Sequence, residues 1–149
     1  AHSSKLPNDK GFAPLQYQVL RNRNKIYMSL IDAAKKVDTG KIYLQNSFFL
    51  NGTELSNEIR NIQGVQILKI LKKILLKYPN IKSKKQKGNG NFNKRRHPKD
   101  SELNINKTIK QQFNFLRICD NDIYPAHFFY KKNKYILKIY KDKNKNNYE

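Results

Sequence analysis

The feature that most constrains the fold is a pair of apolar segments separated by a short turn. Residues 25–33 are apolar at every second position, which is typical of a half-buried strand. Residues 41–50 form a second extended segment after the turn Asp38-Thr39-Gly40. Two strands joined by a tight loop would leave Asp38 at an exposed strand end, where functional sites are commonly built. The sequence therefore predicts an antiparallel strand pair with a candidate site in its connecting loop.

Helical patterns lie on both sides of this strand pair. Pro14 suits the first position of a short helix that ends near Arg21. Thr53 is predicted to cap a long helix, with Glu54 in its first turn, and the helix must end before Pro79. Apolar residues at helical spacing between these points supply one buried face.

The remaining chain changes character twice. Residues 80–100 are basic with almost no apolar anchors, which favours a linker or a substrate-facing loop. Residues 107–118 have helical spacing, and residues 126–130 and 135–140 resemble the two strands of a hairpin. We therefore predict an α/β architecture with a small C-terminal module and a disordered tail. The predicted divisions are 1–79, 80–100, 101–141 and 142–149.

The large net positive charge restricts the possible functions less than its magnitude suggests. The formal net charge of +20 would fit a nucleic-acid or other anionic partner. However, the excess is mainly lysine in a chain also rich in Asn, Ile, Tyr and Phe, a bias that AT-rich codons produce in any protein. A single cysteine, Cys119, and the lack of a long apolar run predict a cytoplasmic protein with no membrane span. The scattered histidines His2, His97 and His127 suggest no metal site.

Two short motifs carry a resemblance to a known family. The chain opens with Ala1-His2-Ser3-Ser4-Lys5-Leu6-Pro7 and later contains Asp38-Thr39-Gly40. This pair resembles the formyltransferases that use 10-formyltetrahydrofolate, in which a His-x-Ser-x-Leu-Pro segment is followed by an Asp-x-Gly loop. Three further stretches match in the same order, namely Gly11 to Pro14, Arg95 to Leu103, and Ile123-Tyr124-Pro125-Ala126.

The resemblance implies a fold and a set of site residues. It implies the C-terminal half of a formyltransferase-type domain followed by a small helix and hairpin module. His2 would handle protons and Asp38 would be its partner, while the family's oxyanion-stabilising Asn would precede Ala1. The implied substrate-binding residues are Ser4, Lys10, Arg95 and Arg96. The implied residues for the formyl donor are Val37, Asp38 and Gly40.

Several acceptor amines are compatible with the resemblance. We favour a nucleotide-linked amino sugar used in surface polysaccharide synthesis, because only a short stretch follows Ser101 and Phe12 is aromatic, as in the sugar enzymes. Methionyl-tRNA is the alternative acceptor, and a basic RNA-binding or ribosomal protein is the alternative of another class. The family's N-terminal half would be a required partner, and a homodimer is compatible with the family. We expect the isolated chain to be essentially inactive without that half.

Overall fold

The computed structural model describes residues 1–142, and the chain divides into two compact units. The first unit is Ala1–Arg96 and the second begins at His97. The predicted disordered tail lies, apart from residue 142, outside the described residues. None of the helices within residues 1–142 is both long enough and apolar enough to cross a membrane. The first unit contains β1 (Lys10–Gly11), α1 (Pro14–Leu20), β2 (Lys25–Ile31), β3 (Ile42–Phe49), α2 (Ser56–Leu75) and β4 (Phe92–Asn93).

The antiparallel pair β2–β3 organises the first unit and confirms the predicted strand pair. The register aligns Lys25 with Phe49 at one end and Ile31 with Ile42 at the other, with an irregularity before Ile31. Alternation along β2 buries Ile26 almost completely, so one face of the pair belongs to the core. The core combines both strands with the two helices, through Leu15, Val19, Ile26, Met28, Phe48, Ile59 and Ile70.

The long helix begins later than the sequence pattern indicated, so the predicted capping role of Thr53 is wrong. The carboxylate of Glu54 instead accepts hydrogen bonds from the backbone amides of Asn51 and Gly52, at 2.6 and 3.0 Å. This contact holds Glu54 in the preceding loop and outside the first turn. Helix α2 starts at Ser56, and Glu58 in its first turn accepts a hydrogen bond from the amide of Leu55 at 2.7 Å.

The basic segment after α2 packs within the first unit. Strand β4 pairs in parallel with β1, aligning Lys10 with Phe92 and Gly11 with Asn93. Upstream of β4, Lys84 exchanges backbone hydrogen bonds with Ile42 at 2.7 and 2.8 Å. Residues 84–93 therefore lie beside both β3 and the loop that follows His2, although their composition had suggested a linker or substrate-facing loop.

The second unit is a small helix and hairpin module. Short 3₁₀ helices at Pro98–Ser101 and Lys110–Gln112 precede α3 (Phe113–Ile118), so the helix predicted over 107–118 is shorter and partly 3₁₀. Strands β5 (Ala126–Tyr130) and β6 (Asn133–Leu137) form the predicted hairpin, but its turn is only Lys131-Lys132. Both lysines have positive φ, 46° and 66°, as a two-residue primed turn requires. A cluster of Leu103, Leu116, Cys119 and Ala126 forms the core of this unit.

Candidate active site

His2 is fixed beside the central strand by its own backbone. Its amide donates to the carbonyl of Ser29 at 2.8 Å, and its carbonyl accepts from the amide of Ser29 at 2.7 Å. This isolated antiparallel bridge extends the β2–β3 pair by one more chain segment. His2 is largely buried, at 9% relative exposure, so its ring is held in a defined environment at the edge of the sheet.

Asp38 contacts the ring of His2, as the two motifs had suggested. The Oδ1 atom of Asp38 lies 3.3 Å from Nδ1 of His2. Its second oxygen, Oδ2, accepts a hydrogen bond from the amide of Gly11 at 2.8 Å. Asp38 adopts the left-handed conformation with φ 56°, which Asp tolerates better than most residues. Both carboxylate oxygens are therefore engaged, one by the ring and one by the backbone after the His2 motif.

A glutamine from the basic segment holds the loop that carries Asp38. The side-chain Nε2 of Gln86 donates to the carbonyls of Asp38 and Gly40, at 2.7 and 2.8 Å. Gly40 is required there because a Cβ atom would lie 2.0 Å from the carbonyl oxygen of Asp32. The loop is thus held by two features, the close approach of Gly40 to Asp32 and the hydrogen bonds from Gln86 to the carbonyls of Asp38 and Gly40.

The second nitrogen of the His2 ring also faces an acceptor. Nε2 lies 2.8 Å from the backbone carbonyl oxygen of Asp9. A neutral imidazole has one donor and one acceptor nitrogen, so only the doubly protonated ring donates to both Asp38 and the Asp9 carbonyl. The ring is therefore oriented from both sides.

Asp9 itself is the centre of a buried ionic network. Its side chain is 4% exposed and accepts a short hydrogen bond from Arg21, and Arg23 lies 3.8 Å away. Asn91 bonds both ends of the residue, since its Oδ1 accepts from the Asp9 amide at 2.9 Å and its Nδ2 donates to the carboxylate at 3.2 Å. Burial alone would raise the pKa of Asp9, but the hydrogen bonds from Arg21 and Asn91 and the charge of Arg21 outweigh it and hold the pKa below its ordinary value.

The other residues singled out by sequence occupy different surroundings. Ser4 is fully buried, and its hydroxyl donates to the carbonyl of Asn8 at 2.7 Å, so it braces the loop after His2. The ammonium of Lys10 donates to the carbonyl of Asn89 at 3.1 Å. The guanidinium of Arg95 lies 5.9 Å from the ring centre of Phe12, the residue that follows Gly11.

The structure therefore brings some of these residues together and separates others. His2, Asp38 and Gly40 lie together, Val37 is exposed beside them, and Arg96 is half-buried at the end of the first unit. Sequence reasoning missed Asp9, Gln86 and Asn91. The one signal they offered was a run of Gln, Asn and Gly between residues 86 and 93, where turns and amide hydrogen bonds are common. Within residues 1–142 no group of three His, Cys, Asp or Glu side chains could hold a metal ion.

Comparison with curated proteins relates the chain to one kind of enzyme. It is 29% identical over 147 residues to the methionyl-tRNA formyltransferase of Fusobacterium nucleatum, covering 95% of this chain and 46% of the relative. It is 28% identical over 119 residues to the protein of the same name from Mycoplasma capricolum, covering 78% of this chain and 38% of that relative. The chain thus spans less than half the length of these relatives. No family model matches it.

Solved structures show the same fold. The methionyl-tRNA formyltransferase from Clostridium thermocellum superposes with a TM-score of 0.78 at 21% identity, covering 97% of this chain and 63% of that one. An N-formyltransferase from Helicobacter canadensis, in complex with folinic acid and dTDP-3-aminofucose, gives a TM-score of 0.71 at 21% identity, covering 88% of this chain and 50% of that one. The predicted fold, a portion of an α/β formyltransferase domain, is confirmed by these neighbours.

Proposed function

We propose that this chain supplies the proton-handling part of a site that transfers a formyl group from 10-formyltetrahydrofolate to an amine. Its sequence is similar to that of methionyl-tRNA formyltransferases and its fold matches theirs. The single observation that carries this proposal is the contact between Asp38 and Nδ1 of His2, at 3.3 Å in a largely buried setting. A histidine held by a carboxylate is a suitable general base and acid near neutral pH.

The proposed chemistry assigns one role to each member of the pair. The acceptor amine adds to the formyl carbon, giving a tetrahedral intermediate with an oxyanion and a protonated nitrogen. His2, which must be neutral and unprotonated at Nε2 for this step, removes a proton from that nitrogen, and Asp38 stabilises the resulting imidazolium. The bond from carbon to the folate N10 then breaks, and the proton is delivered to N10. For Nε2 to take part, it must exchange its contact with the Asp9 carbonyl, 2.8 Å away, for one with the substrate.

Donor binding is proposed for the loop that carries Asp38. The residues assigned to it are Val37, Asp38 and Gly40, and the backbone of this loop is fixed by Gln86. Support for a folate donor comes from the Helicobacter canadensis neighbour, which was solved with folinic acid. Our candidates for contacts with an anionic acceptor remain Lys10, Arg95 and Arg96, because all three are cationic. Lys10 directly precedes Gly11, and Arg95 lies over the ring of Phe12, which follows Gly11.

Two acceptors are supported by different observations. A nucleotide-linked amino sugar is supported by the neighbour solved with dTDP-3-aminofucose. Methionyl-tRNA is supported by the curated relatives, one of which is 29% identical to this chain over 95% of its length. The solved methionyl-tRNA and sugar enzymes are equally similar to the chain, at 21% identity each, so we place methionyl-tRNA first on the curated relatives alone and the amino sugar second.

Formyl transfer can be measured with both acceptors in parallel. The chain is assayed alone and together with the N-terminal half of the Fusobacterium nucleatum relative, 46% of which this chain matches. Labelled 10-formyltetrahydrofolate is offered with methionyl-tRNA or with dTDP-linked amino sugars. The expected result is transfer that requires both portions and is lost in His2→Asn. Absence of transfer to either acceptor in the reconstituted protein would contradict the proposal, and so would full activity of His2→Asn.

A further inference from the structure

We propose that the segment 86–91 is a positioning clamp for His2, with Gln86 setting the acceptor of Nδ1 and Asn91 setting the acceptor of Nε2. The interpretation of this clamp as part of a formyl-transfer site rests on the proposed function. The clamp itself rests on contacts within the first unit. The side-chain hydrogen bonds of Gln86 end on Asp38 and Gly40 and those of Asn91 end on Asp9, so both are positioning residues that act through Asp38 and Asp9.

The first arm of the clamp controls the Asp38 side. Gln86 donates to the carbonyls of Asp38 and Gly40, and these two residues flank the bend of the loop. The left-handed backbone of Asp38 is less favourable than a right-handed one even for Asp, and the hydrogen bonds from Gln86 stabilise it. Backbone pairing between Lys84 and Ile42 fixes the position of Gln86 relative to β3. Loss of the Gln86 donor would therefore release the carboxylate from Nδ1 of His2.

The second arm controls the Asp9 side. Asp9 also has a left-handed backbone, with φ 59°, and its carbonyl points at Nε2 of His2. Asn91 bridges the amide and the carboxylate of Asp9, and its own carbonyl accepts from the amide of Lys10 at 3.0 Å. Asn91 thus takes part in three hydrogen bonds, accepting two and donating one, and together they fix the direction of the Asp9 carbonyl. The two arms reach opposite nitrogens of the same ring.

The experiment follows each ring nitrogen separately. Two-bond proton–nitrogen correlation spectra are recorded on the ¹⁵N-labelled full chain and on Gln86→Met and Asn91→Ala. The chain offers internal references, because His97 and His127 belong to the second unit. We expect Gln86→Met to shift mainly the Nδ1 resonance of His2 and to abolish its hydrogen-bonded proton signal. We expect Asn91→Ala to shift mainly the Nε2 resonance. Gln66→Met, on α2, is the matched control and should leave His2 unchanged.

The outcomes separate the clamp from general destabilisation. Equal shifts of both nitrogens in both variants, or no shift in either folded variant, would overturn the proposal. If Gln86→Met does not fold, Gln86→Glu replaces it, since a carboxylate of similar shape cannot donate to the two carbonyls. The measurement requires neither formyl donor nor acceptor. A negative transfer assay with normal His2 spectra would therefore count against the proposed function alone, whereas unchanged spectra in the variants would count against the clamp alone.

Discussion

The buried carboxylate of Asp9 gives a stability prediction that can be worked from the structure. In Asp9→Asn the side chain keeps its shape but loses its charge, and one end of the new amide presents donors to the Arg21 guanidinium. Removing one partner of a buried ion pair costs about 3–5 kcal/mol. The Arg21 side chain is 39% exposed and keeps its hydrogen bond to Asn93, so water and Asn93 compensate part of the loss. We therefore expect the free energy of unfolding to fall by about 2–3 kcal/mol at neutral pH.

The pH dependence of this effect has a definite sign. The pKa of Asp9 is lower in the folded protein than its ordinary value of 3.8, so folding favours the ionised form. The stability it contributes is complete well above pH 3.8 and is lost as the pH falls through the lower, folded value. Asp9→Asn lacks this contribution at every pH. The difference between the two proteins should therefore be largest at neutral pH and should shrink below about pH 4.

Urea denaturation followed by circular dichroism at several pH values measures both quantities. Asp122→Asn is the matched control, because Asp122 forms an exposed pair with Lys138 at 3.3 Å and the same substitution there should cost less than about 1 kcal/mol. The reasoning is refuted if Asp9→Asn unfolds within about 0.5 kcal/mol of the unmodified chain at neutral pH. A stability gap that stays constant between neutral pH and pH values below 3.8 would equally refute the linkage.

Three further substitutions have expected outcomes. Asp38→Asn keeps an acceptor for the Gly11 amide but removes the negative charge 3.3 Å from the His2 ring. That charge attracts a protonated His2 by about 5 kcal/mol at an effective dielectric constant near 20. The kcat of formyl transfer by the reconstituted protein should therefore fall about 10²–10⁴-fold. Gly64→Ala should raise the free energy of unfolding by about 1 kcal/mol in urea denaturation, since no atom lies within 4 Å of the added Cβ. Lys132→Gly should raise the melting temperature of the second unit, because it relieves about 1 kcal/mol of strain at φ 66°.

Local pattern was sufficient to predict the elements whose stability depends on a continuous apolar face. Strands β2 and β3 lie within one or two residues of their predicted ends, because alternation requires one face to be buried. The start of α2 was predicted wrongly because two acidic residues, Glu54 and Glu58, compete for amides near the same helix end. Which carboxylate caps the helix depends on how the Asn51 turn closes, and the spacing of apolar residues contains no information about that choice.

In the candidate site, too, the residues within short motifs could be predicted from the sequence, whereas their partners from distant segments could not. His2 and Asp38 were identified from a resemblance between short motifs, and the structure brings them into contact. Asp9 lies two residues after the first motif, but its partners Arg21 and Asn91 are 12 and 82 positions away. Gln86 reaches the Asp38 loop across 48 positions. Contacts of this sequence separation depend on the packing of β4 against β1, and no local pattern in the sequence specifies that pairing.

The amides of the basic segment make contacts that its overall composition does not indicate. A lysine offers only donors, whereas an Asn or Gln side chain offers both a donor and an acceptor. Asn91 uses both groups on one residue, accepting from the Asp9 amide and donating to the Asp9 carboxylate. The lysines around it cannot replace this pairing, although they dominate the charge of the segment. When a codon bias enriches Lys and Asn together, composition alone does not show which Asn residues have a structural role. Asn91 has such a role, because only an amide side chain can bond both the backbone amide and the carboxylate of Asp9.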